Sequence, residues 1–385
     1  MKNSNKSKKP ISISVIGARA YPSDFVGTSG LEIYVENIVK ELSRIRRDLK
    51  FIIYTKATYQ ERRFVKSKAI RVRKLVTIHS KVLESVIYSL IASFFSAFDR
   101  SAIVWYHGVG PSIFSFIPRL LGKRIVLTVH SLDWERKKWS PTEKFFFEKG
   151  ANFVFLLRPK IFAVSLSLKA YILKNFGVSA TYVPPGIELQ RVKSPEFYLK
   201  KFGLFHKSYL LFLGRFVPEK RLEWLIEAFL ELKTKFKGLR LVLAGGHGNI
   251  PNYEKGLRER YKGGGIIWMG YVFGKEKLSL LSHCRCFVLP SELEGNPVSL
   301  AEALGVGVLC LVSEDVAGEF PKLGNILEFK TQSKNSFSNA IGKALVQKSK
   351  KGIYKKKELE GIKGFSWKKT AGIYFREFNP PLLSG

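Results

Sequence analysis

Two glutamates, Glu294 and Glu302, lie at the start of a predicted helix and have the chemistry needed to bind a polar ligand. Asn296 suits the N-cap of this helix, Pro297 its first position, and Gly305 the position after its end. The free N–H groups at the helix start would bind phosphate or sugar oxygens, and the carboxylates would accept hydrogen bonds from hydroxyl pairs. The pattern predicts a site for a sugar and a ribose; a capped core helix with two incidental glutamates is the alternative interpretation.

Two cations follow a predicted strand at 209–213. Arg215 and Lys220 lie five residues apart on the turn between that strand and the next predicted helix. Arg can bind two oxygens of a diphosphate at once, while Lys acts as a point charge, so the pair could replace a metal ion. A solvated basic turn is the alternative interpretation.

Two further segments follow predicted strands of the first half. The glycine-bearing loop 27–30 leads into a helix, so the backbone near Gly30 could approach a phosphate. This loop lacks the G-x-G-x-x-G spacing of a dinucleotide site, which disfavours a Rossmann oxidoreductase. His130 ends the strand 124–129 and could point toward a ligand, and His107 is a second candidate; a purely structural role is the alternative for either histidine.

Short apolar runs alternate with helical patterns along both halves of the chain, which predicts mostly parallel sheets covered on both faces. Predicted strands lie at 11–17, 51–54, 102–106, 124–129, 161–164, 181–183, 209–213, 241–244, 266–269, 286–289 and 308–312, and predicted helices include 31–42, 221–233 and 275–282. The pattern breaks from Pro184 to Lys207, where we expect the link between two α/β domains. Ligands of such sheets bind beyond the carboxyl ends of the strands.

The composition fits two domains and a strongly basic surface. The chain has 385 residues, 45% of them hydrophobic, and a formal net charge of +34. Much of this charge lies between Arg46 and Lys74 and again in residues 348–357. Such a surface favours an anionic partner, which could be nucleic acid, an anionic membrane or a phosphorylated substrate, although a merely solvated basic surface is equally consistent with it.

The three cysteines, Cys284, Cys286 and Cys310, are too few for a disulfide framework, which favours a reducing compartment. His283 with the first two cysteines suggests zinc, but no second ligand pair follows, so we expect ordinary thiols on a strand. The first ten residues lack the apolar core of a signal peptide. The apolar stretch 82–98 predicts a buried or amphipathic helix, with membrane-surface contact as an alternative.

Taken together, these segments resemble family four of the retaining GT-B glycosyltransferases, which includes sucrose synthases and bacterial mannosyltransferases. The resemblance rests on the E-x7-E arrangement from Glu294 to Glu302, on Arg215 with Lys220, on Val-Pro-Pro-Gly-Ile at 183–187 and on Phe-Ser-Trp at 365–367. It implies two Rossmann-like, doubly wound α/β domains facing across a cleft. These would be an acceptor-side domain at 1–187, onto which a final helix at 367–385 packs back, and a nucleotide-sugar-binding domain at 188–366.

The same resemblance assigns roles to individual residues. Arg215 and Lys220 would bind the donor diphosphate, and Glu302 the ribose. Glu294 would bind the donor sugar and act in catalysis together with His130, which would contact the transferred sugar. The remaining donor-binding positions implied are Gly30, Gly295, Asn296, Pro297 and Val298. The donor would be a nucleotide-diphosphate sugar and the acceptor a saccharide or a lipid-linked molecule, with retained configuration and without a metal or cofactor.

The opening Gly17 to Arg19 and the segment after His130 further resemble a bacterial subgroup of rhamnosyltransferases of surface-polysaccharide assembly, although this chain has Ser131 where that subgroup has glycine. A GT-B epimerase or phosphorylase is the alternative enzyme class. Nucleic-acid binding is disfavoured because the chain has no aromatic stacking motif. We expect a cytoplasmic protein whose basic first domain docks on the anionic inner face of the membrane.

Overall fold

The computed structural model describes residues 11–63, 65, 67–77, 83–132, 141–190, 199–246, 251–292, 294, 295, 297–347 and 356–378. These residues form two compact units, each built around its own sheet. The first unit contains the described residues of 11–132, 141–183 and 370–378, and the second contains the described residues of 184–369. The chain passes from the first unit to the second slightly before the predicted boundary at residue 187.

The first unit is a parallel seven-stranded sheet in the order β3-β2-β1-β4-β5-β6-β7, flanked by helices. Its strands are β1 (Ser12–Ile16), β2 (Lys50–Lys56), β3 (Ile70–Leu75), β4 (Ile103–His107), β5 (Arg124–Val129), β6 (Lys160–Ala163) and β7 (Thr181–Tyr182). Its helices are α1 (Gly30–Ile45), α2 (Leu83–Phe98), α3 (Val109–Ser112), α4 (Phe116–Leu120), α5 (Pro141–Leu156) and α6 (Leu166–Phe176), with a 3-10 turn at Ile113–Ser115.

The second unit is a parallel six-stranded sheet in the order β10-β9-β8-β11-β12-β13. Its strands are β8 (Tyr209–Arg215), β9 (Arg240–Gly246), β10 (Ile266–Gly270), β11 (Cys286–Leu289), β12 (Cys310–Ser313) and β13 (Ile326–Phe329). Its helices are α7 (Leu222–Lys233), α8 (Pro251–Arg260), α9 (Gly274–His283), α10 (Val298–Gly305), α11 (Glu314–Ala317), α12 (Lys334–Val346) and α13 (Lys356–Gly364), with a 3-10 turn at Pro218–Lys220. The last helix among the described residues is α14 (Trp367–Phe378).

The predicted α/β class with mostly parallel sheets is confirmed, and two strands that the apolar runs did not predict complete the sheets. Both missed strands, β3 and β13, lie at a sheet edge. Strand β3 carries Arg71, Arg73 and Lys74, and β13 carries the exposed Glu328. An edge strand is only partly buried, so it needs no continuous apolar run and gives a weaker signal in the sequence.

The helix after β11 begins and ends differently from the prediction. Pro297 is the N-cap, with extended backbone, and its carbonyl accepts the first helical bonds from Leu300 and Ala301 at 3.1 and 3.2 Å. The prediction that Pro297 is the first helical residue is therefore wrong by one position, and Asn296 lies outside the described residues. Gly305 is the last helical residue, so its prediction as the residue after the helix is also wrong.

Gly305 has a different reason to be glycine. A Cβ at this position would clash with the carbonyl oxygen of Glu188, and the carbonyl of Gly305 accepts a hydrogen bond from the Gln190 amide at 2.9 Å. Close backbone approach, which only glycine permits, thus fixes the residue type. The left-handed residue beyond the helix is Gly307, with φ of 74°.

The three cysteines are buried in the core of the second unit. Cys286 and Cys310 lie on neighbouring strands, β11 and β12, as predicted, but Cys284 caps α9 and is not on a strand. Burial raises the pKa of the Cys284 thiol to about 12, so this side chain is a neutral thiol that packs as a small apolar group.

Helix α14 packs its aromatic side chains into the first unit. The ring centroid of Tyr374 lies 4.7 Å from that of Trp105 and 4.4 Å from that of Phe162, while the ring of Phe378 lies 5.1 Å from Trp105. The Tyr374 hydroxyl is 2.9 Å from the Thr128 hydroxyl. The described end of the chain is therefore part of the first unit's core, beneath the ends of β4 and β5.

Candidate functional site

The first candidate site of the molecule lies on the second unit, where the strand order reverses. Strand β8 is the first of its sheet; β9 and β10 lie on one side of it and β11 on the other. Open α/β sheets bind ligands beyond the carboxyl ends of the strands at this point. Arg215 is the last residue of β8, and the loop carrying Glu294 follows β11. The topology therefore brings the two predicted binding segments to adjacent strand ends.

Side-chain and backbone contacts join these two loops. Lys220 forms an ion pair with Glu294, and the side chains are only 13% and 11% exposed. Beside this pair, the Arg221 guanidinium lies 3.2 Å from the Glu292 carboxylate, and the Glu292 amide donates to the Glu219 carbonyl at 2.9 Å. The predicted cation and the predicted carboxylate are thus held together at low exposure, where charged groups interact more strongly than in open solvent.

Arg221, which the sequence did not single out, fixes the turn that carries Lys220. Its backbone is left-handed, with φ of 47°, an uncommon conformation for a residue with a side chain. Its guanidinium lies 4.3 Å from the ring centroid of Trp224 and also donates to the Thr331 carbonyl. These contacts compensate the backbone strain and hold Lys220 in place.

A glycine pair at the end of β9 was also missed. A Cβ on Gly245 would clash with the carbonyl oxygen of Gly214, and a Cβ on Gly246 would lie 2.6 Å from the ring of Tyr271. The Gly246 carbonyl accepts a hydrogen bond from the Phe216 amide at 2.6 Å. The backbones at the ends of β8 and β9 therefore approach each other as closely as glycine allows, and the Gly-Gly pair after a predicted strand was the available signal.

Two buried hydroxyls lie at the same edge of the second sheet. Ser291 follows β11 and Ser313 ends β12, and neither Oγ has a hydrogen-bond partner within the part of the chain that is described. A buried polar atom without a partner is costly, on the order of 1–3 kcal/mol. These hydroxyls are suited to a polar ligand at this edge.

The remaining predicted residues of this site occupy helix α10 and its approach. Pro297 and Val298 are buried at the helix start, and Gly295 is half-buried. Glu302 lies in the second turn and pairs with Lys277 of α9 at 2.5 Å. The two glutamates of the E-x7-E arrangement thus each have a different lysine partner, and Lys277 is a residue that sequence reasoning missed.

A second candidate site lies on the first unit, again where the strand order reverses, between β1 and β4. Gly17 follows β1 with φ of 123°, and a Cβ there would clash with the carbonyl oxygen of His107, the last residue of β4. His130 follows β5, and its Nε2 lies 3.0 Å from Nδ1 of His107. Both histidines considered from the sequence are therefore brought into one hydrogen-bonded pair.

This histidine pair is neutral. Burial lowers the pKa of His107 well below its ordinary value, and the nearby His130 lowers it further. Burial also lowers the pKa of His130 to about 3, although Glu32 acts in the opposite direction. Each ring therefore carries one N–H near pH 7, and a single proton lies between Nδ1 of His107 and Nε2 of His130.

The position of that proton follows from the other nitrogen of His107. Its Nε2 is buried and has no hydrogen-bond partner among the described residues. Buried N–H groups without an acceptor are rarer than under-satisfied acceptors, which favours a proton on Nδ1 of His107. His107 then donates to His130, and His130 carries its own proton on Nδ1.

The helix that follows the Gly30 loop is anchored by a buried ion pair. Glu32 accepts hydrogen bonds from the Arg19 guanidinium at 2.9 and 3.1 Å and from the Ser29 amide at 2.9 Å. Burial alone would raise the pKa of Glu32, but Arg19 and Ser29 hold it at about 2. Gly30 is the first residue of α1, and the Ser-x-x-Glu spacing of Ser29 and Glu32 was the signal that predicts this cap.

Comparison with known proteins gives two family models that match consecutive parts of the chain. Glycosyltransferase Family 4 matches residues 28–191, and Glycosyl transferases group 1 matches residues 196–351. The chain is 29% identical over 213 residues to the uncharacterized glycosyltransferase YqgM of Bacillus subtilis, which covers 52% of this chain and 54% of that protein, so the chain spans about half of that relative's length. It is 32% identical over 117 residues to O-antigen chain mannosyltransferase B of Escherichia coli, 29% of each protein.

Among solved structures, sucrose-phosphate synthase from Thermosynechococcus elongatus superposes with a TM-score of 0.76 at 19% identity, covering 95% of this chain and 98% of that one. This likeness concerns the fold. Together with the two family models it defines the class, that of the GT-B glycosyltransferases, and confirms the predicted fold class. The first unit is of the Glycosyltransferase Family 4 type and the second of the Glycosyl transferases group 1 type, because each model matches most of one unit.

Proposed function

We propose that the protein transfers a sugar from a nucleotide-diphosphate sugar to a saccharide or lipid-linked acceptor in polysaccharide or glycan biosynthesis. The observation that carries the proposal is the Lys220–Glu294 ion pair, which joins the loop after β8, the strand that ends at Arg215, to the loop after β11. The similarity to an O-antigen mannosyltransferase supports the polysaccharide part. Membership in the rhamnosyltransferase-like subgroup stays a prediction.

The charges at this edge suit a diphosphate leaving group. Lys220 has three donors, and the pair with Glu294 uses one of them, which leaves two for phosphate oxygens. Arg215 can bind two oxygens in a fork. When the bond from the anomeric carbon to the diphosphate breaks, both electrons go to the phosphate oxygen, and these cations stabilise the negative charge that develops there.

Glu294 is suited to bind the sugar of the donor. A carboxylate offers about four acceptor positions, of which Lys220 occupies one, so the others can accept hydrogen bonds from sugar hydroxyls. The acceptor hydroxyl forms the new bond to the anomeric carbon and gives its proton to the departing diphosphate. We expect no metal and no cofactor, because Arg215 and Lys220 supply the positive charge. We expect retention of configuration, because an acceptor that gives its proton to the departing diphosphate attacks the anomeric carbon from the same face.

In the first unit, His130 would donate a hydrogen bond from its Nδ1–H to the transferred sugar, and Gly30 at the start of α1 would approach the donor phosphates. Neutral imidazole is suited to this role because it donates a hydrogen bond without adding charge next to the cationic reacting carbon. We further propose a cytoplasmic protein that docks on the anionic inner face of the membrane, where a lipid-linked acceptor would be found.

The test begins with a panel of nucleotide sugars, each measured for thermal stabilisation of the purified protein, since a ligand that binds only the native state raises the Tm. The donor identified in this way is then incubated with and without saccharide and lipid-linked acceptors. Acceptor-dependent release of the nucleoside diphosphate, unchanged by EDTA, is the expected result. Isomerised donor in the absence of acceptor would instead indicate an epimerase, and a requirement for added divalent cation would contradict the metal-free mechanism.

The stereochemistry needs its own measurement. The anomeric configuration of the product, read from one-bond carbon–proton couplings in NMR spectra, is expected to equal that of the donor. An inverted product would leave sugar transfer in place and overturn retention.

A further inference from the structure

Helix α2 is built the opposite way from an ordinary surface helix. The residues that it buries are small or polar, apart from one tyrosine: Tyr88, Ser89, Ala92, Ser93, Ser96 and Ala97. Most of its large apolar residues are exposed instead: Leu83, Val86, Leu90, Phe94, Phe95 and Phe98, while Ile87 and Ile91 are half-buried. An amphipathic helix normally turns its large apolar residues toward the core. A reversed pattern over the whole length of α2 indicates that its outer face has an apolar partner.

The buried hydroxyls of α2 are satisfied, so the reversal is stable within the first unit. Ser89 and Ser96 donate to carbonyls of the same helix at 2.6 and 2.8 Å, and the Ser93 hydroxyl is 2.9 Å from the hydroxyl of Tyr106. Turning the helix to bury its Leu and Phe side chains would break the Ser93–Tyr106 bond and overfill the space that now holds Ser and Ala.

The apolar surface continues onto α4, which packs against α2. Leu120, the last residue of α4, is 81% exposed, and Leu121 is 52% exposed, while Phe98 at the end of α2 is 67% exposed. Large side chains exposed to this degree and close in the fold exceed what scattered surface residues explain. We call the six exposed residues of α2 together with Leu120 and Leu121 the α2 surface.

Cations accompany the α2 surface. The Arg73 guanidinium of the edge strand β3 lies 5.9 Å from the ring centroid of Phe95. Arg71 on the same strand, Arg100 just after α2 and Arg119 on α4 are exposed.

The acidic groups of this region have partners within the first unit. Glu84 pairs with Lys56 at 3.2 Å. Asp99 accepts hydrogen bonds from the Tyr54 and Ser101 hydroxyls. An apolar stripe flanked by exposed arginines has the composition of a helix that lies in the interface of an anionic bilayer.

The occupant that fits is a bilayer surface and not a second copy of the chain. A two-fold contact through α2 would bring the same arginines of two strongly basic molecules together, in a chain of net charge +34. A helix of 16 residues is about 24 Å long and would lie in the plane of the membrane. Among the described helices, none is long and apolar enough to cross a bilayer.

We propose that the α2 surface docks the protein on anionic phospholipid bilayers, with Leu and Phe side chains inserted between headgroups and the neighbouring arginines on lipid phosphates. This rests on the membrane docking in the proposed function and names the surface responsible. It is independent of which donor the second unit binds.

The test is sedimentation of the full chain with vesicles of phosphatidylcholine alone and of phosphatidylcholine mixed with phosphatidylglycerol, at low and high salt. The expected result is binding to the mixed vesicles that salt weakens. In the triple variant Leu90→Ser, Phe94→Ser and Phe98→Ser, the partition coefficient should fall by about tenfold or more, because each lost apolar side chain removes part of the insertion free energy.

A matched control keeps the number of substitutions and changes exposed apolar residues elsewhere: Leu173→Ser, Phe205→Ser and Val346→Ser. This variant should bind vesicles like the wild type, and circular dichroism should show that both variants melt like the wild type. Equal binding of the two triple variants would overturn the assignment of the surface, and absence of wild-type binding to mixed vesicles at low salt would overturn docking itself. A wild-type dimer in ultracentrifugation that the α2 variant abolishes would identify a second copy as the occupant, while donor-induced stabilisation tests sugar transfer separately.

Discussion

The two units place different chemistry at the same topological position. In the second unit the point where the strand order reverses carries the Lys220–Glu294 ion pair and, beside it, the Arg221–Glu292 pair. In the first unit the corresponding point carries a neutral pair of the buried His107 and the half-buried His130. The sheet topology thus selects where a ligand can bind, while the side chains at that point decide whether charged or neutral groups face the ligand.

The largest effect is expected from substituting Lys220 or Glu294. We call the end of β8 and β11 that carries these two residues the charged edge. Lys220→Ala and Glu294→Ala should each lower kcat for sugar transfer by about a hundredfold or more, because each removes a group placed to stabilise the leaving diphosphate or to hold the donor sugar. The measurement is the rate of acceptor-dependent release of nucleoside diphosphate. Lys255→Ala, which removes an exposed lysine of α8, is the matched control and should retain the wild-type rate.

Because the Lys220–Glu294 pair is largely buried, each single variant also leaves one charge without its partner. Circular dichroism must therefore show that the variants are folded at the assay temperature. Full turnover by either folded variant would remove it from the proposed mechanism.

The next largest effect concerns the stability of the first unit, in which the Tyr374 ring packs near the His107–His130 pair, which we call the neutral edge. Tyr374→Ala should destabilise the first unit by about 3–5 kcal/mol, the range for losing a buried aromatic side chain, because its ring packs on Trp105 and Phe162. Tyr374→Phe keeps the ring and loses only the hydroxyl contacts with Thr128 and Tyr34, so about 1 kcal/mol is expected. Denaturant unfolding of the two variants measures the difference, and equal stabilities would show that the ring is not what anchors α14.

Truncation after Lys363 removes the whole of helix α14. It should lower the free energy of unfolding of the first unit by more than either substitution does.

The neutral histidines predict how the stability of the first unit depends on pH. The folded pKa of His130 is about 3, below its ordinary value of 6.5, so between these values the unfolded chain binds a proton that the folded chain does not. Stability should therefore fall as the pH decreases through this window, by at most about 1.4 kcal/mol per pH unit for each such histidine. Glu32, with a folded pKa of about 2 and an ordinary value of 4.5, loses its contribution only at lower pH.

Urea-induced unfolding at several values between about pH 5 and pH 7 measures this dependence without interference from Glu32. His130→Asn should have a shallower dependence than the wild type, whatever its absolute stability. An unchanged slope in this variant would mean that His130 is not the buried neutral group that the structure indicates.

The sequence predicted the charged edge better than the neutral one, for physical reasons. Arg215, Lys220 and Glu294 are charged residues next to predicted strand ends, where the ligands of open α/β sheets bind. The pairing of His107 with His130 depends on the alignment of β4 with β5, which no local pattern reports. The same limit hid Lys277, whose partner Glu302 lies on another helix.

Most strands were predictable because doubly buried strands are continuous apolar runs, as in β5 and β11. The strands β3 and β13 were not, since edge strands can alternate polar and apolar residues. The helix beginning at Val298 was placed one residue early because Pro suits both the N-cap and the first position, and only backbone geometry separates them.

The smallest effect on stability should come from the partly exposed Lys277–Glu302 pair. Lys277 pairs with Glu302, but both side chains remain about a quarter exposed, at 22% and 24%, so the pair should contribute less than about 1 kcal/mol to stability. Lys277→Gln should thus barely change the Tm, whereas Glu302→Gln should weaken donor binding by about tenfold if Glu302 holds a ribose hydroxyl pair through its charge. Titration calorimetry with the donor nucleotide measures both affinities. If Lys277→Gln weakens donor binding as strongly as Glu302→Gln, the ion pair with Lys277 is what orients the Glu302 carboxylate. Lys277 of helix α9 would then belong to the binding site together with the residues that follow β8 and β11.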